Sequence, residues 1–349
     1  MHPASIDISP RELTAGAMAS DKLSTLRHLF ATQGYVVVSN LISAEVCSQL
    51  QGAFLQDVEA IRKRPALTPH EQRTAVGHLQ LGARRYAPFV NRDLVANDVI
   101  EHVISELLGP SAWLGFYSGN VNCPGSGYQP VHFDRPFTWR SQTEAQDAGQ
   151  PWPPPATTVS CSLALTDINQ TSGATEIYPG THQETAVTQW PRGERPEKHP
   201  ELVERWGPPQ SMGIPAGGVC FRDPRMWHRG VPNTSSVPRP MIALTYHSVL
   251  TKHWRGLLVS DLSMADQARC ARDNTLRVLD DGSLGDGRLL FDINTRFAFE
   301  RPSLHGIDRN TRFIEAPLQV NHFLDNHTIG GARVVRGETI SPYPNGGST

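Results

Sequence analysis

Apolar positions recur along this chain with two different periods, and the change between them organises it. In DKLSTLRHLFA (21–31), Leu23, Leu26 and Phe30 fall on one face of a helix. GYVVVSN (34–40) is then continuously apolar and reads as a buried strand opened by Gly34. Ser43 is a suitable N-cap for AEVCSQLQGAFLQDVEAIRK, and Glu45 in the first turn complements the helix dipole. Val46, Leu50, Phe54, Val58 and Ile61 repeat at helical spacing, a stripe that reads as core. A shorter amphipathic helix follows in NDVIEHVISELLG (97–109), ended by Gly109-Pro110.

From Trp113 the period shortens. AWLGFYSGNVN, GYQPVHFD, TTVSCSLALTD, ATEIYPG, GGVCFRD and RPMIALTYHSVL are short β-rich runs divided by Gly, Pro and Asn, with no helices between them. Such spacing predicts a sandwich or barrel. The expected fold is therefore mainly β with flanking helices, a double-stranded β-helix or jelly roll. A single domain is expected: a helical part over 21–112, a jelly-roll core over 113–250, and an extension over 251–349 acting as a lid or oligomer contact. Two long inserts interrupt the core, 137–156 and 183–210, and loops of that length are commonly lids or binding loops. Trp139, Trp152 and Trp190 lie in them, and pinning the loops is their expected role.

Composition narrows the function. The chain has 349 residues, 38% hydrophobic and 19% charged, with 29 Gly and 28 Pro, which favours short strands and long loops over a helical bundle. The net charge of −2 and the lack of a long basic run argue against nucleic acid or an anionic membrane as partner. Five scattered cysteines without a Cys-x-x-Cys read as reduced thiols, and no apolar stretch is long enough to span a bilayer. A cytoplasmic protein with a small-molecule substrate is expected, with homo-oligomer formation left open.

Candidate chemistry begins at QPVHFDRPF (129–137), where His132 and Asp134 are two apart and would share one face of a strand. Alone, the pair is equally a polar strand pair. A third ligand is available in AGGVCFRDPRMWHRGVPNTSSVPRPMIALTY (216–246), where His228 follows a short strand. Two imidazoles and one carboxylate make the facial triad of non-haem Fe(II) oxygenases, with coordination positions left open. The distal histidine would return on a later strand of the same barrel.

These stretches, with the opening helix–GYVVV–helix, SGATEIYPGTH (172–182) and WHRGVPNTSSVPRP (227–240), resemble the phytanoyl-CoA dioxygenase-like branch of the Fe(II)/2-oxoglutarate-dependent oxygenases over roughly residues 21–250. The resemblance implies Fe(II) held by His132, Asp134 and His228. It also implies 2-oxoglutarate and O2 as co-substrates converted to succinate and CO2, and hydroxylation of a small organic molecule. Family members carry an arginine about ten residues beyond the distal histidine to grip the far carboxylate of 2-oxoglutarate. Arg239, eleven beyond His228, fits, and a dicarboxylate in a dry barrel needs such a planar, always-charged partner.

By the same resemblance Gln129 and Thr175 are further 2-oxoglutarate contacts, and Tyr117 and Asn120 line the pocket. His182 is read as loop structure, and His247 and His253 as structural histidines. Related halogenases lack the carboxylate of the triad. Asp134 therefore points to hydroxylation, or to desaturation, ring closure or epoxidation. No basic cluster suits the diphosphate of coenzyme A, which favours a secondary metabolite or amino-acid-like substrate. Two alternatives remain open on the residues alone. One is a cupin-like metalloenzyme using the same ligands with Zn(II) or Mn(II) and no 2-oxoglutarate, and the other is a non-catalytic jelly-roll binding protein.

Overall fold

The computed structural model describes residues 5–62, 77–82, 92–95, 97–110, 112–191 and 194–248, with 334–335 and 338–339. The expected lid or oligomer contact over 251–349, like His253, otherwise lies outside the described residues. Strand β1 (Ser5–Asp7) leads into helix α1 (Pro10–Ala15), α2 (Ser20–Gln33), β2 (Tyr35–Ser39) and α3 (Ala44–Arg62). After β3 (His78–Gly82) come α4 (Asp98–Leu108), β4 (Trp113–Asn122), α5 (Gln142–Asp147), β5 (Thr158–Ala164) and β6 (Glu176–Ile177). Helix α6 (Pro200–Trp206), then β7 (Gln210–Ser211), β8 (Val219–Arg222), β9 (His228–Arg229) and β10 (Arg239–His247) complete the series.

The strands form a seven-stranded sheet in the order β1-β2-β8-β5-β10-β4-β3 and a three-stranded sheet in the order β7-β6-β9. Only the β1–β2 pair is parallel in the larger sheet. Facing each other, the two sheets make the jelly roll, with helices on the outer face of the larger one.

Alternation along each strand decides what goes where. In β2, Val36 and Val38 pack with the helices, whereas Tyr35 and Val37 pack towards the small sheet. A strand covered on both faces has no polar side, and this explains the unbroken YVVV. In β8, Val219 and Phe221 face the helices, while Cys220 joins the inter-sheet cluster. Arg222, two residues beyond Cys220, shares that inner face. In β10, Ile242, Leu244 and Tyr246 face outwards and Met241 inwards, so Arg239 is inward as well. The larger sheet thus turns its apolar side to the helices and its polar side chains to the interior.

The helices are anchored as their sequences suggest. Ser43 Oγ accepts from Val46 N at 3.3 Å, and Asn97 Oδ1 caps α4 by accepting from Val99 N and Ile100 N, each at 3.1 Å. Leu23, Leu26 and Phe30 of α2 and Leu50, Phe54 and Val58 of α3 are buried against the sheet, each worth roughly 1.5–3 kcal/mol. Gly34 does more than open a strand. It ends α2 with φ 82°, its N–H bonding Phe30 O, and a Cβ there would lie 2.6 Å from His182 Nδ1.

The sequence reading passed over β1, β3 and α1. Helix α1 carries a capping box, in which Ser9 Oγ accepts from Glu12 N at 3.4 Å and Glu12 Oε2 accepts from Ser9 N at 2.9 Å, with Pro10 at the first helical position.

The inserts are tied down by their aromatics. Within the second insert Trp190 stacks on His199 at 4.2 Å and 7°, and it lies 6.0 Å from Trp227 of the core, while Trp152 lies 6.2 Å from Phe137 within the first. Arg225 donates to Pro154 O at 2.8 Å and sits over the Phe137 ring. The second insert also reaches the stretch that carries His132, through Glu197 Oε1 accepting from Val131 N at 3.0 Å.

Phe54 is fully buried between α3 and the sheet. Phe54→Ala is expected to lower the unfolding free energy by about 3–5 kcal/mol, measured by urea denaturation followed by circular dichroism.

Candidate metal centre

The stretch 129–134 is not the regular strand expected. It is extended chain with a single antiparallel bridge, His132 to His228. The reason lies in its own sequence, since Pro130 and Pro136 have no N–H to offer a ladder. What survives is a short series of backbone bonds to the segment carrying His228. Gln129 N donates to Gly230 O at 2.9 Å, His132 N to His228 O at 2.9 Å, His228 N to His132 O at 2.8 Å, and Asp134 N to Pro224 O at 2.9 Å. Directly opposed residues share a face. The two imidazoles accordingly lie with ring centroids 4.4 Å apart, and Asp134, two residues on, joins them.

The ligand atoms of His132, Asp134 and His228 all lie within 4.8 Å of one another. Asp134 Oδ1 is 3.7 Å from His132 Nε2 and 3.4 Å from His228 Nε2. His132 Nδ1 is 2.8 Å from Pro130 O, and His228 Nδ1 is 2.9 Å from Met226 O. A carbonyl can only accept, so each Nδ1 carries the proton and each Nε2 presents a lone pair to the common centre. Burial, reinforced by the neighbouring His228, pushes the His132 imidazole down to about 4, keeping it neutral and able to ligate at neutral pH.

Burial alone would push the Asp134 carboxyl up. The neighbouring His228 and the Arg222 guanidinium outweigh it and hold the group well below the usual carboxylate range. The donor set is thus two imidazole nitrogens and one anionic oxygen, which suits a divalent metal.

Arg222 was not singled out from sequence. It donates from Nη2 to Asp134 Oδ2 at 2.6 Å, and its Nη1 lies 3.1 Å from His228 Nδ1. Of the two neighbours of that Nδ1, the Met226 carbonyl is the one compatible with a free lone pair on Nε2. The signal was present in VCFR, where strand alternation sets Arg222 on the face opposite Val219 and Phe221.

Arg239 begins β10 and is 5% exposed. It donates to Gly173 O at 2.8 Å and Ser172 O at 3.4 Å. Burial alone pushes it down to about 10, so it remains a cation at neutral pH. The loop it meets is fixed by Asn122, paired with Arg239 across the sheet, whose Nδ2 donates to Val231 O at 2.9 Å and Gly173 O at 3.3 Å. Gly173 has φ 75°, and a Cβ there would lie 2.3 Å from Asn122 Nδ2, so the close approach requires glycine.

Gln129 Oε1 accepts from Gly230 N at 2.9 Å. Thr175 lies two residues before Ile177, which pairs with His228, and so belongs to the same face. Asn120 is on the inner face of β4, its Oδ1 buried without a hydrogen-bond partner among the described residues. The side chain of Tyr117 lies outside the described set. His78, also not singled out from sequence, bonds Gly127 O through Nε2 at 2.8 Å, and its imidazole is pushed down by burial and by the charge of Arg239. His182 serves the loop, with Nε2 3.1 Å from Ala31 O, and buried His247 lies 3.2 Å from Thr158 Oγ1.

A jelly roll carrying two imidazoles and a carboxylate in this arrangement defines the class of mononuclear non-haem metal oxygenases. The phytanoyl-CoA dioxygenase (PhyH) family matches residues 30–241. The chain belongs to that family and is an Fe(II)/2-oxoglutarate-dependent dioxygenase. Its curated relatives include the ectoine dioxygenase of Bordetella bronchiseptica (strain ATCC BAA-588 / NCTC 13252 / RB50), 24% identical over 67% of this chain and 77% of that one. The ectoine dioxygenase of Nocardia farcinica (strain IFM 10152) is 26% identical over 67% and 79%. Among solved structures, the non-heme alpha ketoglutarate dependent carbocyclase SnoK from nogalamycin biosynthesis aligns with a TM-score of 0.47 and 19% identity, over 70% of this chain and 91% of that one.

If the three side chains form one centre, His132→Ala or Asp134→Ala each removes Mn(II) binding at micromolar metal, read by electron paramagnetic resonance. His132 is partly exposed, and the melting temperature of metal-free His132→Ala is expected to stay within a few degrees, whereas Asp134→Ala leaves buried Arg222 without its carboxylate and lowers it further.

Proposed function

We propose that His132, Asp134 and His228 hold the Fe(II), that Arg239 holds the distal carboxylate of 2-oxoglutarate, and that the enzyme hydroxylates a small organic molecule. The observation carrying this reading is the convergence of two Nε2 atoms and one carboxylate oxygen within 4.8 Å, with both Nδ1 atoms already bonded to carbonyls. When bound, Fe(II) with 2-oxoglutarate supplies the oxidising chemistry: O2 is consumed, 2-oxoglutarate becomes succinate and CO2, and the substrate gains one oxygen atom.

The chain's own residues orient and exclude. Arg239 is a buried cation bonded to two carbonyl oxygens, and its planar fork suits two carboxylate oxygens side by side. Gln129, its Oε1 committed to Gly230 N, keeps an amide NH2 to donate to a carboxylate, and Thr175 supplies a hydroxyl on the His228 face. Asn120 Oδ1, buried and unpartnered among the described residues, is an acceptor for a donor group on a bound molecule. Asp134 fills the carboxylate position of the triad, which favours oxygen transfer over halogenation. The relatives' name, ectoine dioxygenase, supports a small organic substrate, and we assign an amino-acid-like compound or secondary metabolite rather than an acyl-CoA.

Two outcomes follow. Screening small amino-acid-like and natural-product compounds for stimulated succinate formation is expected to yield a product 16 mass units heavier. A screen in which every active compound carries coenzyme A would contradict the substrate class. Arg239→Ala is expected to weaken 2-oxoglutarate binding by about 2–5 kcal/mol, roughly thirtyfold or more, while Mn(II) affinity stays within about threefold. Arg239→Lys recovers part of the loss because it keeps the charge without the fork.

A further inference from the structure

The two oxygens of Asp134 have different neighbours. Oδ1 faces both imidazoles, 3.4 Å from His228 Nε2 and 3.7 Å from His132 Nε2. Oδ2 points the other way, onto Arg222 Nη2 at 2.6 Å. The arginine is the more buried member of this pair, its side chain 8% exposed against 39% for Asp134. It closes the short strand β8, and across the sheet it is flanked by Tyr35 of β2 and Ser160 of β5. Neither of these is acidic, and among the described residues Asp134 is the anion paired with it. The backbone under the carboxylate is held by Asp134 N donating to Pro224 O at 2.9 Å, which fixes the main chain but not the side-chain rotation. Without a second tether Asp134 could rotate, presenting either oxygen or both.

We infer that Arg222 is a positioning residue that ties Oδ2 of Asp134 and so presents the carboxylate to the metal through Oδ1 alone. A carboxylate free to use both oxygens would occupy one more coordination position, and the facial arrangement works only if positions stay open for a chelating co-substrate and O2. The guanidinium suits this task because it remains charged in a dry interior and its planar N–H groups fix direction as well as distance. A lysine would keep the charge but lose the direction. The inference rests on the assignment of His132, Asp134 and His228 as metal ligands.

The test uses the full chain, anaerobic, with Mn(II) affinity read by electron paramagnetic resonance and Co(II) coordination read by visible absorption. Arg222→Met is expected to weaken Mn(II) binding by about 10–100-fold, to change the Co(II) spectrum as a second carboxylate oxygen replaces water, and to weaken 2-oxoglutarate binding to the Co(II) form. Arg222→Lys recovers metal affinity more than it recovers the Co(II) spectrum. Should Arg222→Met fail to fold, Arg222→Gln serves. It keeps an N–H near Oδ2 without the charge, and the same losses are expected at smaller size. A variant that folds and matches wild type within twofold in Mn(II) affinity, with an unchanged Co(II) spectrum, overturns the inference. So does an equal loss of affinity in every variant with no spectral change, which would mark Arg222 as merely structural. If wild-type protein bound no more Mn(II) than Asp134→Ala, the ligand assignment itself would fall, and the inference with it.

Discussion

Two backbone hydrogen bonds between His132 and His228, at 2.9 and 2.8 Å, hold the rest of the site in place. They join the proline-flanked stretch after β4 to a two-residue strand of the smaller sheet, far apart in sequence. Directly opposed residues share a face, so this one bridge sets the two imidazoles side by side, and alternation brings Asp134 round to them. Little else in the 129–134 stretch is regular.

Around the bridge, the fold sorts charge by strand parity. The larger sheet buries Val36, Val38, Phe221, Ile242 and Leu244 against the helices and turns Arg222, Arg239 and Asn120 inward. Each inward arginine has a different answer to the problem of a buried charge. Arg222 meets a carboxylate, whereas among the described residues Arg239 meets only the carbonyls of Ser172 and Gly173 in its hydrogen bonds. A buried cation served by neutral oxygens is poised for an anionic ligand, and a dicarboxylate chelating the metal would supply one. The second insert is held to the core through the Trp190–Trp227 and Glu197–Val131 contacts.

Much of this was legible in the chain because periodicity is a local property. YVVVS, DVIEHVISELL and TVSCSLA announced their elements, since burial on one or both faces leaves a direct imprint on composition. His132, Asp134 and His228 were legible as residue types in order, with Arg239 at a telling interval. QPVHFD misled as a strand, because its prolines allow extension yet deny a ladder. Arg222 went unread for a different reason. An arginine ending a short apolar strand looks like a boundary, and only the opposite sheet shows that it turns inwards onto a carboxylate. Gln129 engages Gly230 through a contact set by tertiary structure, which no local pattern could reveal.

The most direct measurement is an anaerobic titration of metal-free protein with Fe(II) and then 2-oxoglutarate, followed in the visible spectrum. The account predicts a weak charge-transfer band that appears only when both are present, marking the keto acid bound to iron at the His132–Asp134–His228 centre. Iron binding with no band on addition of 2-oxoglutarate, or a band that persists unchanged in Asp134→Ala, would contradict it.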